Sequence, residues 1–348
     1  MNSGTSRLKN NSPEHAGKKA AQPTDRRIDK LIHLLVENAT VVAPGPKIAD
    51  EIGVTRGTVW MWIEKLRRQG VKIRGLAGGG YQLQKLPDVL TPSLVSAALG
   101  ECEMGRKIIH YFVAGSTNTL ALRFASDGAP HGTVVVAEEQ LAGRGRFGRS
   151  WYSEKSAGIY VSVILRPPLA PSAAPILTLM AGLAIHQAVA ELTGLAPDIR
   201  WPNDLLLGGK KMGGILTEMN AELDRVHAVV VGIGLNVNHQ DMPAGIRPVA
   251  ISLRMESGKV YSRIQLLAGV LRQLQHFYCI LLGQGSGAIA RMWEQKSTFA
   301  RGKRVRVKTD AGELLAVTEG LESTGALRLK FDDGRAAALV SGEVIEIK

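Results

Sequence analysis

Apolar residues recur at helical spacing at Ile28, Leu31, Ile32 and Leu35, and again at Val59, Ile63 and Leu66. The first set predicts a helix from Arg26, the second a helix over Arg56–Arg68. Thr55 stands in the N-cap position of the second, where its hydroxyl can accept from a first-turn amide. Between them Pro44, Gly45 and Pro46 break the chain, a short helix Lys47–Glu51 carries Ile48, and Gly53 permits a tight turn. Helix, glycine-containing turn and helix at this spacing make a helix-turn-helix. Val71–Arg74 and Gly80–Leu83 read as two short strands joined through Gly78 and Gly79, so the unit is winged. Residues 1–25 are polar and without period, which predicts a disordered arm.

Leu86–Ser93, with two prolines, reads as a linker. Beyond it the periods mix. Residues 133–137 and 159–165 are strong strands, Ile176–Leu192 is a helix, Val226–Val237 is a long apolar strand, and Ile264–Leu282 and Ala288–Thr298 are helices. After residue 300 the pattern changes again. Val305 and Val307 alternate with charged neighbours, and Asp310-Ala311-Gly312 and Asp332-Asp333-Gly334 signal turns. The pattern predicts a small antiparallel barrel, too small to stand alone and so docked on the core. The expected division is a disordered arm (1–25), a winged helix-turn-helix (26–86), a central α+β domain (87–300) and a C-terminal barrel (301–348).

Charge sharpens this division. Of a net +12, residues 1–86 carry 15 Lys/Arg against 7 Asp/Glu, while the rest is nearly balanced. A basic helix-turn-helix on a neutral body suggests a polyanion partner. The two cysteines, Cys102 and Cys279, make neither a disulfide framework nor a metal-ligand spacing and read as buried thiols in a reducing compartment. No apolar run at the N-terminus resembles a secretory signal. No uninterrupted stretch reaches the roughly 18 apolar residues of a membrane span. The expectation is a cytoplasmic protein without membrane contact or bound metal.

Three segments carry candidate chemistry. Gly143-Arg144-Gly145-Arg146-Phe147-Gly148-Arg149-Ser150-Trp151 contains G-x-G-x-x-G, but loop and strand follow where a dinucleotide site needs a helix. What remains is a glycine-rich loop with three arginines, suited to carboxylate and phosphate. Phe147 is its one apolar anchor, so the empty loop is expected to be held by little. Arg200-Trp201-Pro202-Asn203-Asp204-Leu205 ends a strand, and Lys211 can return to Asp204 across a hairpin. Gly115-Ser116-Thr117-Asn118 opens a helix over Thr119–Ser126 and leaves free amides at its start.

Together with Gln140, Gly213-Gly214-Ile215 and Gly232-Ile233-Gly234-Leu235-Asn236, these segments resemble the biotin–protein ligase family in order and spacing. The resemblance extends over nearly all of residues 26–348, because the winged helix and C-terminal barrel are placed as in the bifunctional ligases that also repress biotin synthesis genes. It implies an α+β fold: a mixed-sheet catalytic domain like that of class II aminoacyl-tRNA synthetases with helices on one face, and a C-terminal SH3-like barrel. It also implies ATP-dependent activation of biotin to biotinyl-5′-AMP, with Mg²⁺, and transfer to a lysine of the biotin carboxyl carrier protein of acetyl-CoA carboxylase. Further implied are operator DNA as a partner and a homodimer.

By motif position, the resemblance assigns biotin to Ser116, Thr117, Asn118, Gln140, Arg144, Gly145, Arg146 and Lys211. It assigns ATP to Arg146, Arg149, Trp151, Asn203, Lys211 and Asn236, with Asn236 meeting phosphate or Mg²⁺. Arg146, Lys211 and Asp204 are the catalytic candidates, Asp204 steering or deprotonating the acceptor amine. Thr55, Arg56, Thr58 and Trp60, with Arg74 on the wing, are the DNA-contact candidates. Trp60 and Met61 stand on the side of their helix away from the apolar stripe. Two other readings compete: a regulator that only senses biotin, and a lipoate–protein ligase. Intact Asp204 and Lys211 speak against the first, and the arginine loop with Trp-Pro-Asn-Asp against the second.

Overall fold

The computed structural model describes residues 22–39, 41–76, 78–221, 226–309 and 312–346. At the N-terminus α1 (Arg26–Glu37), β1 (Ala43–Pro44), α2 (Gly45–Ile52), α3 (Arg56–Arg68), β2 (Ile73–Leu76) and β3 (Gly80–Leu83) form a three-helix unit with a three-stranded wing. Its core joins Leu31, Ile32, Val59, Ile63 and Leu66 with Trp62. Thr55 caps α3, its hydroxyl accepting from the Thr58 amide at 3.2 Å.

Two local expectations are corrected here. The Pro-Gly-Pro segment does not simply break the chain: Ala43 and Pro44 pair with Tyr81 and Gly80, and α2 starts at Gly45. Gly45 donates its amide to Gly79 O at 2.9 Å, and a Cβ there would lie 2.6 Å from that oxygen, so only glycine permits the approach. Of the expected arm, residues 1–21 lie outside the described residues, but Thr24 and Asp25 are structured. Asp25 caps α1, and Thr24 bonds His110 through both backbone and hydroxyl.

The expected linker is pinned rather than loose. Val89 packs into the N-terminal core and Leu90 into the central one. The Leu90 amide donates to Glu138 Oε1 at 2.7 Å, and Asp88 receives the backbone amide and Nε of Arg263, both at 2.9 Å. Pro92 then starts α4 (Pro92–Leu99).

The central sheet runs β4 (Lys107–Tyr111), β5 (Thr133–Ala137), β6 (Gly158–Leu165), β10 (Val226–Asn236), β9 (Lys210–Ala221), β8 (Asp204–Leu207) and β7 (Asp198–Arg200). Only β4 and β5 are parallel, so the sheet is mixed. Strand alternation assigns its two faces. Val229, Val231, Ile233 and Leu235 of β10 join Val134, Val136, Val161 and Val163 in a core under α6 (Ile176–Thr193), α8 (Arg263–Gln284) and α9 (Ser286–Gln295). The short α7 (Leu253–Ser257) precedes α8. The other face carries α5 (Thr117–Ser126), whose Ala121 and Ala125 pack with Val135, Ile164 and Val230. Helices therefore cover both faces, not one, and the part of the α5 face beyond that helix's start is left open.

By length and composition α8, and α6 with its preceding turn, could each cross a membrane, although neither is an uninterrupted apolar run. In this fold both are mostly buried and pack in the central core. Cys102 is half-buried and Cys279 exposed, so the expectation of two buried thiols fails for Cys279.

Residues 301–346 form an antiparallel sheet in the order β14 (Ala336–Leu339), β13 (Leu327–Lys330), β12 (Gly312–Leu321), β11 (Arg301–Thr309), β15 (Glu343–Glu346). Among the described residues β14 and β15 are not paired, so the five strands of the expected small barrel form one sheet that is not closed. Of the first turn signal there, Asp310 and Ala311 lie outside the described residues. The sheet docks on the core through Val305, Val307, Leu327 and Val344, and Trp201 donates its indole N–H to Gly325 O at 3.0 Å.

Candidate active site

Successive glycines on β9 and β10 make the floor of the site. Gly214, Gly232 and Gly234 share the α5 face by the period of two. Each is a glycine because another side chain occupies the place of a Cβ. At Gly232 a Cβ would come within 1.9 Å of Asn118 Oδ1, and at Gly234 within 2.5 Å of the Trp151 indole; Gly214 lies under Trp151 and Lys211. Above this floor is a cavity of about 620 Å³, the size of a small-molecule site. Every biotin and nucleotide candidate named from the sequence lines it: Ser116, Thr117, Asn118, Gln140, Arg144, Gly145, Arg146, Arg149, Trp151, Asn203, Asp204, Lys211 and Asn236.

One end of the cavity is a row of neutral polar groups. α5 opens at Thr117, two residues earlier than the periodicity suggested, and the Ser116 side chain makes no cap. Instead the Thr117 amide donates to Gln140 Oε1 at 2.9 Å, and Gln140 Nε2 donates to Ser153 Oγ at 2.9 Å. Ser162 donates to Asn118 Oδ1 at 2.6 Å, and Asn118 is only 5% exposed. Such a row suits a small polar ring whose donors and acceptors are fixed in position.

The other end is charged. The β8–β9 hairpin returns Lys211 to Asp204, Nζ to Oδ1 at 2.5 Å, and Arg200 reaches Oδ2 at 2.6 Å. Burial alone would raise the Asp204 carboxyl, but Lys211 and Arg200 outweigh it and hold the group below the usual carboxylate range. In this arrangement Asp204 anchors Lys211 as an ionised group. Lys211 Nζ also stands 5.5 Å over the Trp151 ring. The Trp151 indole N–H is buried without a protein partner.

The arginine loop departs from expectation most. Its Phe147 is no anchor; it is 58% exposed, with the Arg146 guanidinium 4.8 Å over its ring. The arginines hold the loop instead. Arg144 pairs with Glu218 at 2.7 Å. Arg146 donates to Gly342 O at 3.0 Å and Ser341 Oγ at 3.1 Å, and Arg149 grips both oxygens of Glu343 at 2.7 and 2.6 Å. The C-terminal sheet thus clamps the loop. Glu343 is drawn below the usual carboxylate range by the Arg149 hydrogen bond.

Three lining features escaped the sequence reading: Glu343, Ser153 and the Pro243–Ala250 segment, whose Val249 O accepts from the Lys211 amide at 2.8 Å; Glu218, outside the lining, escaped it too and meets the site through Arg144 and Asn118. Period two from Gly214 along β9 reaches Glu218, so that signal was available. Nothing local marks the others. Asn236 donates its amide to Ile251 O at 3.1 Å.

The DNA candidates lie apart from this cavity. Arg56, Trp60 and Met61 on α3 and Arg74 on the wing are exposed, Trp60 to 59%. Thr55 and Thr58 are used internally, their hydroxyls bonded at 2.9 Å.

Comparison with known proteins bears on both regions. The sequence matches the biotin/lipoate A/B protein ligase family over residues 110–236 and an HTH domain over residues 27–82. It is 37% identical over 306 residues to the bifunctional ligase/repressor BirA of Bacillus subtilis, covering 87% of this chain and 94% of that one. Identity to the Escherichia coli bifunctional ligase/repressor BirA is 28% over 315 residues, covering 90% and 95%. The fold is similar to the Aquifex aeolicus biotin protein ligase in complex with biotin and ATP, with a TM-score of 0.60 at 28% identity, over 69% of this chain and 98% of that one.

Proposed function

The chain belongs to the biotin–protein ligase family, and from that premise we propose that its glycine-floored cavity joins biotin to ATP and passes the biotinyl group to a protein lysine. In the first step a biotin carboxylate oxygen attacks the ATP α-phosphorus and pyrophosphate leaves, giving biotinyl-5′-AMP. In the second a lysine amine of the biotin carboxyl carrier protein of acetyl-CoA carboxylase attacks the acyl carbon, AMP leaves and the amine loses a proton. The helix-turn-helix makes the same chain a biotin-responsive repressor that binds operator DNA.

The observation that carries the assignment is Lys211, held on Asp204 and over Trp151 at the charged end of the cavity. Two anions must meet for the first step, and a preorganised cation at their junction lowers its barrier. Ser116, Thr117, Asn118 and Gln140 take the ureido ring. Arg144, Arg146 and the Gly145 backbone cover the valeryl chain and carboxylate. Lys211 leaves Asp204 to bridge carboxylate and α-phosphate. Arg149, Asn203 and Trp151 hold the nucleotide, the Trp151 N–H being an unused donor there. Asp204, freed from Lys211, receives the acceptor amine.

Among the described residues no cluster of three His, Cys, Asp or Glu is placed to hold a metal ion. Asp204, Glu218 and Glu343 are each paired with a cation. Mg²⁺ carried by the nucleotide phosphates would be held there with the Asn236 side-chain oxygen as the protein's hard donor, and would supply charge neutralisation. Arg56, Trp60 and Arg74, with Thr55 and Thr58 at the start of α3, face the DNA. Binding uses a homodimer, because one winged helix reads one half-site.

The test is to incubate the protein with ATP, an acceptor domain and either biotin or lipoate, then weigh the acceptor. One added biotin is expected; a gain with lipoate alone would refute the assignment. DNA affinity should fall steeply with salt, measured by fluorescence anisotropy on operator duplexes.

A further inference from the structure

Glu218 stands behind the neutral row, outside the cavity lining, and a single oxygen of it serves two of the proposed biotin residues that line the cavity. Its Oε2 accepts from Asn118 Nδ2 at 2.8 Å and from Arg144 Nη2 at 2.7 Å. Asn118 Nδ2 also donates to Leu216 O at 3.0 Å, so both amide hydrogens of Asn118 are engaged. On its oxygen, one lone pair takes the Ser162 hydroxyl and the other remains.

The direction of the row follows. A carboxylate only accepts, so Asn118 must turn its amide toward Glu218 and its oxygen toward Ser162. Asn118 Oδ1 can only accept, so the one hydrogen of Ser162 Oγ goes to it; Ser162 Oγ also lies 2.8 Å from Thr117 Oγ1. The row therefore presents Asn118 Oδ1 as an acceptor for a ring N–H. The same carboxylate holds Arg144 at this end, while Arg146 bonds Asn203 Oδ1 at 3.4 Å, Ser341 Oγ and Gly342 O at the other. The two arginines are separated by what binds them.

We propose that Glu218 is a positioning residue for head-group selection: it fixes Asn118 as an acceptor and clamps Arg144 over it, so the site takes a ring bearing N–H donors, such as a ureido ring, and rejects a dithiolane. Arg144 is thereby held where the valeryl chain leaves the ring, with Arg146 and Lys211 further along toward the carboxylate. The inference rests on the reading that the Thr117–Asn118–Gln140 row holds the biotin ring.

Glu218→Gln keeps the shape and removes the charge. Calorimetry should show biotin Kd raised at least tenfold, while ATP KM at saturating biotin changes less than twofold and the melting temperature stays within a few degrees. Because both act through one clamp, Arg144→Ala added to Glu218→Gln should weaken biotin little further than Arg144→Ala alone. An unchanged biotin Kd, or parallel losses in biotin Kd, ATP KM and melting temperature, would overturn the proposal. Asn118→Ala separates the two levels. If it leaves biotin Kd unchanged, the row is not the ring site and both reading and inference fall. If it weakens biotin while Glu218→Gln does not, the inference alone falls.

Discussion

Arg263 and Glu138 meet at 2.9 Å with neither side chain more than 1% exposed, whereas Arg149 and Glu343 meet at 2.6 Å with the arginine 63% exposed. The first pair lies beneath the linker. Glu138 also accepts from the Leu90 amide and the Ser156 hydroxyl and touches His110, while Arg263 bonds Asp88 and Gly158 O. Thr24, before α1, completes the hub through His110. Both chain ends of the winged-helix unit are thus tied to a buried, hydrogen-bonded hub in the central core. The second pair lines the cavity, where an incoming phosphate can replace Glu343 on the exposed Arg149. Buried charges joined on all sides stay joined; exposed ones can be exchanged for ligand. The difference separates scaffold from site more clearly than residue type does.

The largest effect should come from breaking the hub. Glu138→Ala leaves the Arg263 guanidinium buried and half-partnered, and should cost about 3–5 kcal/mol of stability, read from urea unfolding. A loss near zero would mean the hub is no scaffold.

Next comes a change at the site that should leave the scaffold alone. Lys211→Ala should slow adenylate formation about 10²–10³-fold, roughly 2.7–4 kcal/mol of transition-state stabilisation. Transfer from supplied biotinyl-AMP should slow far less. Equal losses in the two half-reactions would contradict the bridging role.

Acid should find the scaffold before the exposed pairs. Burial and Arg263 push His239 down to about 4, so the folded protein resists its protonation. Stability is therefore lost as pH falls from about 6.5, the usual histidine value, toward 4. Glu138 is held down to about 2: burial opposes this, but Arg263 and His110 outweigh it. The stability it contributes is full above the ordinary carboxylate range and is lost as pH falls toward 2. Urea midpoints measured against pH should show both steps. His239→Asn should flatten the upper one and Glu138→Gln the lower, and unchanged slopes would contradict the assignments.

The smallest effect on stability, within about 1 kcal/mol, is expected from Glu343→Gln at the exposed pair. Its signature should be kinetic instead. With the clamp on Arg149 weakened, the arginine loop opens more readily, and biotinyl-AMP should leave faster in stopped-flow fluorescence. An unchanged off-rate would show that the C-terminal sheet does not govern the loop.

Much of the molecule is local and was legible as such. The 3.6 period marked α1 and α3 because each buries one face, and near-continuous apolar runs marked α6, β5, β6 and β10 because these are buried on both sides. Thr55 was readable as a cap because capping is settled within four residues. The glycines of β9 and β10 were readable as a motif, though their reason, the Asn118 and Trp151 side chains above them, was not. What the chain order could not supply is contact between distant segments. Glu218 meets Arg144, Glu343 meets Arg149, and Glu138 meets Arg263 across 74, 194 and 125 positions. A charge carries no mark of its partner in sequence, since pairing depends on where the sheet and the docked C-terminal strands place it. For that reason the sequence determined which motifs carry the candidate groups, and the tertiary structure alone decided which charges are locked in the scaffold and which stand exposed at the cavity.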